Sequence, residues 1–303
     1  MTVTTFARQP HAGPSGDRLF YALVNALMGL VLIAVLYPLV YVVSSSFSSP
    51  AAILGGKVVL LPVEIGVAGY QAVFRYPIVL TGYLNALMYM ALGTTINVAL
   101  TMTCAYGLSR RELPLRGLFM FLFAFTMYFG GGLIPSYILM RDLGLIDRVM
   151  AVILPGAIST YNMIIARTFI QSTIPGEMLE AARVDGCSDV RYFFQLVLPL
   201  SKAIIAVIAL YYAVGHWNAW FDAFIYLNDR NKYPLQLVLR EILIANQVDV
   251  DLSLDADTRR RMQGMADLMK YSLIVISSAP VMCLYPLVQR YFIQGVMIGS
   301  LKG

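Results

Sequence analysis

Charge, cysteine and histidine are all scarce in this chain. Of its 303 residues only 13% are Asp, Glu, Lys or Arg, where soluble globular proteins carry about 25%. That shortfall argues against a fold surrounded by water on all sides. The three cysteines, Cys104, Cys187 and Cys283, are odd in number and dispersed, which gives neither a disulfide framework nor metal-ligand spacing. Two histidines, His11 and His216, cannot build a metal site by themselves. No GxxxxGK[ST] and no GxGxxG occurs, so no known phosphate-cradling loop equips this chain to bind a nucleotide.

Apolar length is what the chain has in abundance. It is 59% hydrophobic, with a mean hydropathy of +0.71. Leu19–Gly56, Tyr76–Ser109, Gly117–Met140, Val149–Ala166, Ala203–Phe221 and Tyr271–Gln289 contain no Asp, Glu, Lys or Arg. Each has about 18 residues or more, enough to cross hydrocarbon as a helix. The expectation is an all-α membrane protein with six spans, at about 19–43, 80–107, 117–139, 149–170, 203–227 and 271–290. A polar tail over 1–18 precedes them and a short tail over 294–303 follows. The apolar stretch from Leu19 runs past the ~7–15 residues of a signal-peptide core and reads as a retained first helix. Gly130-Gly131-Gly132 reads as a flexible break or a close-packing site.

Six spans place both termini on one side. Lys and Arg divide eleven and eleven between the two sides, so the positive-inside count alone ties. The loop "RRELPLR" (Arg110–Arg116) breaks the tie, with three Arg packed against two spans, where the rule is strongest. The termini, this loop and the segment around Glu180 are therefore expected in the cytoplasm. The opposite Asn228–Lys270 stretch contains "VDVDLSLDADTRRRMQ". It lacks the ligand order and turn glycine of an EF-hand, and reads as a solvated surface.

The Glu180 segment is the chemical exception among these runs. Glu180, Arg183, Asp185, Asp189 and Arg191 lie within "EAARVDGCSDVRYFFQLVLP". Ser172 or Thr173 can cap a helix there, and Pro175 fits its first turn. Glu177, Glu180 and Arg183 recur on one face, and Met178, Leu179 and Ala182 offer an apolar one. Gly186 is a natural left-handed stop. Ser188 can cap a second short helix, which Pro199 ends. The product is two short amphipathic helices hinged at a glycine along the membrane surface; on local physics alone it could simply anchor a loop.

Spacing points further. Glu180-Ala181-Ala182, three residues, Gly186, nine residues, Leu196, one residue, Leu198-Pro199 resembles the EAA loop of permease subunits in ATP-binding-cassette (ABC) importers, EAA-x3-G-x9-I-x-L-P. Only the aliphatic differs, Leu196 for Ile. "HWNAWFDAFIYL", "GGLIPSYILMRDLGLIDR" and "YFIQGVMIGSLKG" resemble carbohydrate-importer permeases of the LplC/YtcP-like branch, over essentially the whole chain. The resemblance implies the six-helix fold of a type I ABC importer permease in the bacterial cytoplasmic (inner) membrane. It implies that the loop over 171–201 is a coupling helix seated on a separate ATPase, with Glu180, Ala181, Ala182, Asp185, Gly186, Leu198 and Pro199 as its ATPase-coupling residues. It further implies a second homologous permease, in a heterodimer, two ATPase subunits, an extracytoplasmic solute-binding protein and a sugar or oligosaccharide substrate. No nucleic acid is implied, and no cofactor in this chain, ATP and Mg being bound by the ATPase partners.

Polar side chains inside spans are costly in lipid and mark candidate paths. Asn85, Asn162, Trp217, Asn218 and Asp222 are such candidates. On an unbroken fifth helix Asn218 and Asp222 would lie 40° apart and look into one cavity. Trp217, Trp220 and Tyr212 could stack on a sugar, although Trp near a span end is ordinarily an interfacial anchor. Two other classes stay open. An integral-membrane enzyme using His216 and Asp222 suffers from their 240° separation on a helix. A secondary transporter would be expected to bury more charge than this chain holds.

Overall fold

The computed structural model describes residues 15–248 and 255–300. His11 and most of the expected N-terminal tail, the acidic run at 249–254 and the last three residues lie outside the described residues. The regular elements among the described residues are all helical. The chain divides into two compact units, Met1–Tyr70 with Leu254–Ser272, and Gln71–Ser253 with Leu273–Gly303.

In the first unit α1 (Ser15–Ser46) presents exposed Leu, Val, Ile and Tyr side chains around its circumference, the signature of a helix solvated by lipid. A serine-rich turn ends it. Ser44 Oγ donates to the Leu60 carbonyl at 2.6 Å and Ser46 Oγ lies 2.9 Å from the Tyr70 hydroxyl. Ser49 Oγ accepts from the Ala52 N–H and caps α2 (Pro50–Leu54), with Pro50 in the first turn. α3 (Ala68–Phe74) leads out of this unit.

The second unit is organised on α4 (Pro77–Ser109). Its buried stripe includes Gly82, Ala86, Gly93, Asn97, Thr101 and Ala105, small or short side chains repeating near every fourth residue. Such a stripe lets helix backbones approach closely without a hydrophobic driving force. α5 (Arg116–Tyr128) and α6 (Leu133–Asp142) meet at 117°, broken at the Gly130–Gly132 run. The short α7 (Met150–Ile153) and a 3₁₀ turn through Pro155 bend by 55° into α8 (Thr160–Thr173).

Next come α9 (Gly176–Val184) and α10 (Asp189–Tyr192), a π turn over Phe193–Val197, and α11 (Leu198–Leu200). An 81° bend leads into α12 (Lys202–Asn218). α13 (Phe221–Tyr226), α14 (Leu235–Val248) and α15 (Ala256–Ser300) complete the chain. α4 packs against α12, α8 and α14.

Three described helices are long and apolar enough to span a membrane, Asp17–Ser46, Pro77–Ser109 and Arg261–Cys283. Taking each bent pair as one span brings the number to six. A polar seam joins α4 to α12 and the start of α8. Asn97 Nδ2 lies 3.0 Å from His216 Nε2, and Thr101 Oγ1 lies 2.7 Å from the Tyr212 hydroxyl, which also accepts from the Ser159 N–H at 2.8 Å. Hydrogen bonds of this kind glue helices together in lipid.

Candidate functional site

α9 opens with Pro175 at its N-cap, without a side-chain cap. Of the expected cap residues, Ser172 instead donates to the Phe169 carbonyl behind it and Thr173 closes α8, while Pro175 stands at the N-cap, one place before the first turn expected for it. Leu179 is buried and Ala182 packs against the same cluster, formed by α4, α8, α10 and α12. Glu177, Glu180, Ala181 and Asp185 are exposed, as is Val184 at 89%. α9 therefore keeps one narrow seam on the protein and turns most of its circumference to water, so Ala182 braces while Ala181 faces outward.

Its end is a Schellman motif. The Cys187 N–H reaches the Ala182 carbonyl at 2.9 Å and the Gly186 N–H reaches the Arg183 carbonyl at 3.0 Å, with Gly186 at φ +72°. Ser188 Oγ accepts from the Arg191 N–H and caps α10. Gly186→Val is expected to strain this turn, since the left-handed conformation costs a residue with a Cβ roughly 1–2 kcal/mol and a β-branched one more. Open space surrounds the position, so backbone conformation alone sets the effect. Membrane insertion should persist while the amount of co-purifying ATPase falls, with Gly186→Asn milder. Wild-type recovery from Gly186→Val would show that the left-handed turn does not matter to assembly.

A charge cluster that sequence spacing could not reveal holds the two short helices in place. Arg183 forms a two-pronged pair with Glu112, Nη1 to Oε1 at 2.8 Å and Nη2 to Oε2 at 2.6 Å. Arg110 lies 3.8 Å from Glu112 and 3.7 Å from Asp189, and Arg183 lies 3.7 Å from Asp189. Two acids and two bases thus tie the α4–α5 loop to both α9 and α10. The Arg183 guanidinium holds the Glu112 carboxyl below its usual range. Arg167 Nε and Gln171 Nε2 donate to the Leu108 and Ser109 carbonyls, satisfying the last turn of α4 and setting a cation against its negative end. Between these elements lies a cleft of about 600 Å³, where Glu177 and Glu180 share the walls with Arg110, Arg111 and Arg116. Glu180 itself has no salt-bridge partner among the described residues. Leu198 is partly buried against the same apolar cluster and Pro199 is exposed on α11.

The candidate path residues do not gather at one place. Asn85 Nδ2 donates to the Asn231 carbonyl at 2.6 Å and the Tyr233 carbonyl at 3.1 Å, so it anchors the loop before α14. Asn162 is buried in the first turn of α8. Trp217 is 1% exposed, edge-on to Tyr83, with its indole N–H donating to the Ser277 carbonyl. That enclosure removes its face from any ligand. Asn218 is exposed and donates to the Val214 carbonyl one turn back. Asp222 is half-buried on α13. The expected 40° relation between Asn218 and Asp222 does not hold, because the helix breaks at Ala219–Trp220 before α13 begins. No Gly or Pro marks that break.

A second polar hub fixes the loops at the far end of α12. The Asp147 carboxylate accepts from the Asn228 and Asp229 N–H groups, each at 3.1 Å, and from Lys232 Nζ at 2.7 Å. Tyr89 adds a 2.8 Å bond to the Lys232 carbonyl. The Lys232 ammonium, helped by the Asp229 N–H, pulls the Asp147 carboxyl down to about 2. A carboxylate whose folded pKa lies below its unfolded value of about 3.9 stabilises fully above that pH and loses the effect as pH falls toward 2. Asp147 also sits at φ +61°, which Asn tolerates as well, so Asp147→Asn isolates the charge. Amide exchange over 228–233 is expected to become several-fold faster. In the wild type, after correction for intrinsic rates, protection there should fall between pH 4 and pH 2. Equal protection in the variant would mean that the ion pair does not hold this loop.

Long apolar helices thus carry a braced, solvent-facing two-helix loop. No family model matches the chain. Whole-length relatives do match. The polygalacturonan/rhamnogalacturonan transport system permease protein YtcP of Bacillus subtilis (strain 168) is 37% identical over 290 residues, covering 95% of this chain and 99% of YtcP. Protein LplC of the same organism is 37% identical over 266 residues, covering 88% of this chain and 89% of LplC. Among solved structures, a chain from a bacterial ABC transporter involved in the import of the acidic polysaccharide alginate superposes with a TM-score of 0.83 at 33% identity. That match covers 92% of this chain and 99% of the other. The chain belongs to the family of carbohydrate ABC transporter permeases.

Proposed function

We propose that this chain is the non-catalytic permease subunit of an ABC importer in the bacterial cytoplasmic membrane. With a second, homologous permease it forms the path for a sugar or oligosaccharide released by an extracytoplasmic binding protein. ATP and Mg are handled by two ATPase subunits, which engage the loop over 171–201. The observation that carries this reading is α9, held at one end by the Arg183–Glu112 pair and the Schellman turn while Glu180, Ala181 and Val184 face water. A short helix whose base is locked and whose outer face is open can transmit a push from a docked partner. A floppy one would absorb it. In this reading Glu180, Ala181 and Asp185 belong to the docking face, Gly186 sets the turn, and Leu198 and Pro199 lead the force into α12.

Co-purification tests it. The chain expressed with its neighbouring transport genes should bring down an ATPase and a second permease, and ATP hydrolysis should rise with sugar-loaded binding protein. Purification without an ATPase, together with uptake driven by an ion gradient, would replace this reading with a secondary transporter.

A further inference from the structure

Three basic side chains stand around the α13–α14 loop, and they are not equivalent. Arg230 Nη2 lies 2.6 Å from Glu241 Oε2. Lys232 Nζ lies 2.7 Å from Asp147 and 3.8 Å from Asp229. Arg240 has no carboxylate within salt-bridge distance among the described residues. Its guanidinium carbon lies 4.2 Å from the centroid of the Trp220 ring and 5.2 Å from that of Phe224. Among the described residues, the acids that flank it in sequence and in the loop are engaged elsewhere or turned away. Glu241, its neighbour in sequence, is taken by Arg230. Asp147 and Asp229 are taken by Lys232 and by backbone N–H groups. Asp222 lies about 200° from Phe224 around α13 and makes no ion pair with Arg240 among the described residues.

A guanidinium stacked on an aromatic ring gives its flat face to the ring and keeps its N–H edge for a planar acceptor. The stacking also removes rotamer freedom that a free Arg would lose on binding. Beside it Phe221 and Phe224 are 44% and 52% exposed, apolar rings of the kind that pack against the C–H face of a pyranose. A fixed fork of donors next to open aromatic rings is complementary to a uronic acid, a sugar ring carrying a carboxylate. We infer that Arg240, positioned by Trp220 and Phe224, reads the carboxylate of an acidic oligosaccharide, which makes it a residue that selects charged sugars over neutral ones. The inference rests on the sugar-permease reading and adds the substrate class and the residue that selects it.

The test uses the complete importer in proteoliposomes, with its second permease, ATPase and binding protein, and measures the sugar dependence of ATP hydrolysis. Galacturonate and mannuronate tetramers supply the carboxylate. The methyl ester of the galacturonate tetramer masks it, and xylotetraose lacks it. Wild type is expected to respond to the acids at lower concentration than to the ester or to xylotetraose. Arg240→Gln should raise the half-stimulating concentration of the acid roughly tenfold, the loss of one charge-assisted contact, while the ester's value stays put. Arg240→Lys should fall between. A wild-type complex stimulated by xylotetraose or the ester as readily as by the acids overturns the inference and leaves the sugar reading standing. So does an equal shift for acid and ester in Arg240→Gln, or loss of the second permease from that variant, which would make Arg240 a subunit contact. An active, co-purified ATPase that answers to none of the sugars removes the sugar reading, and this inference with it.

Discussion

In Glu180→Lys, stimulation of ATP hydrolysis by sugar-loaded binding protein is expected to fall to the basal rate while the chain still inserts and still pairs with its second permease. Glu180 is exposed on α9 and free of any salt bridge among the described residues, so removing its carboxylate breaks no ion pair there. Leu179 and Ala182, which do hold α9 to the protein, keep their packing. The effect must then arise at whatever covers the helix. Reversing a charge at a desolvated contact costs roughly 2–5 kcal/mol, enough to uncouple a machine whose stroke passes through one short helix. Glu180→Gln keeps the size and removes only the charge, so it should lie between. Full stimulation in Glu180→Lys would take the coupling role away from this residue.

Gly93→Ala is expected to be the most damaging single methyl in the membrane-embedded part. A Cβ built at Gly93 would clash with Nε2, Cε1 and Cδ2 of the His216 ring, and that ring is held in place by Asn97. Neither backbone can yield easily, because α4 and α12 are the most extensively packed pair of helices in the chain. Overpacking of this kind typically costs roughly 1–3 kcal/mol. The measurement is the fraction of complex surviving heating in detergent, with His216→Ala and the double variant alongside. His216→Ala alone should cost stability by leaving Asn97 Nδ2 with only its longer bond to the Gly156 carbonyl. The double variant should be more stable than the two separate losses predict, since the second change makes room for the first. Strict additivity would mean that the Gly93–His216 approach is not what Gly93 provides.

Local chemistry in this molecule is legible in the sequence, and distant pairing is not. The stop at Gly186 and the cap at Ser188 each depend on a few adjacent residues, and both could be read directly. The break in the third apolar run announces itself in three glycines. The break at Ala219–Trp220 carries no such mark, because packing against other helices imposes it, and an angle counted along an unbroken helix fails there. Arg183 and Glu112 are 71 residues apart, and nothing periodic connects them. What was available was the composition of "RRELPLR": one acid among three Arg beside a span is an unusual neighbour for a charged loop. The path residues were the hardest to read. Asn85 and Trp217 are polar or amphipathic for structural reasons, satisfying backbone carbonyls, and side-chain type alone cannot separate that duty from contact with a ligand.

The π turn over Phe193–Val197 has a consequence for counting. Its i→i+5 pattern accommodates one residue more per turn than an α-helix, so it acts as an insertion absorbed without breaking the helix. Every side chain beyond it is rotated by about one residue's step, roughly 100°, from where uniform counting out of Asp189 would put it. The nine residues between Gly186 and Leu196 therefore include a phase correction. A variant with one residue deleted among 193–197 is expected to close the wide turn into an ordinary α turn and to leave Leu198, Pro199 and the 81° exit into α12 near their present azimuth, whereas forcing the same five residues into regular α geometry would swing them by roughly 100°. The fixed gap in the motif is in this sense an angle written as a length.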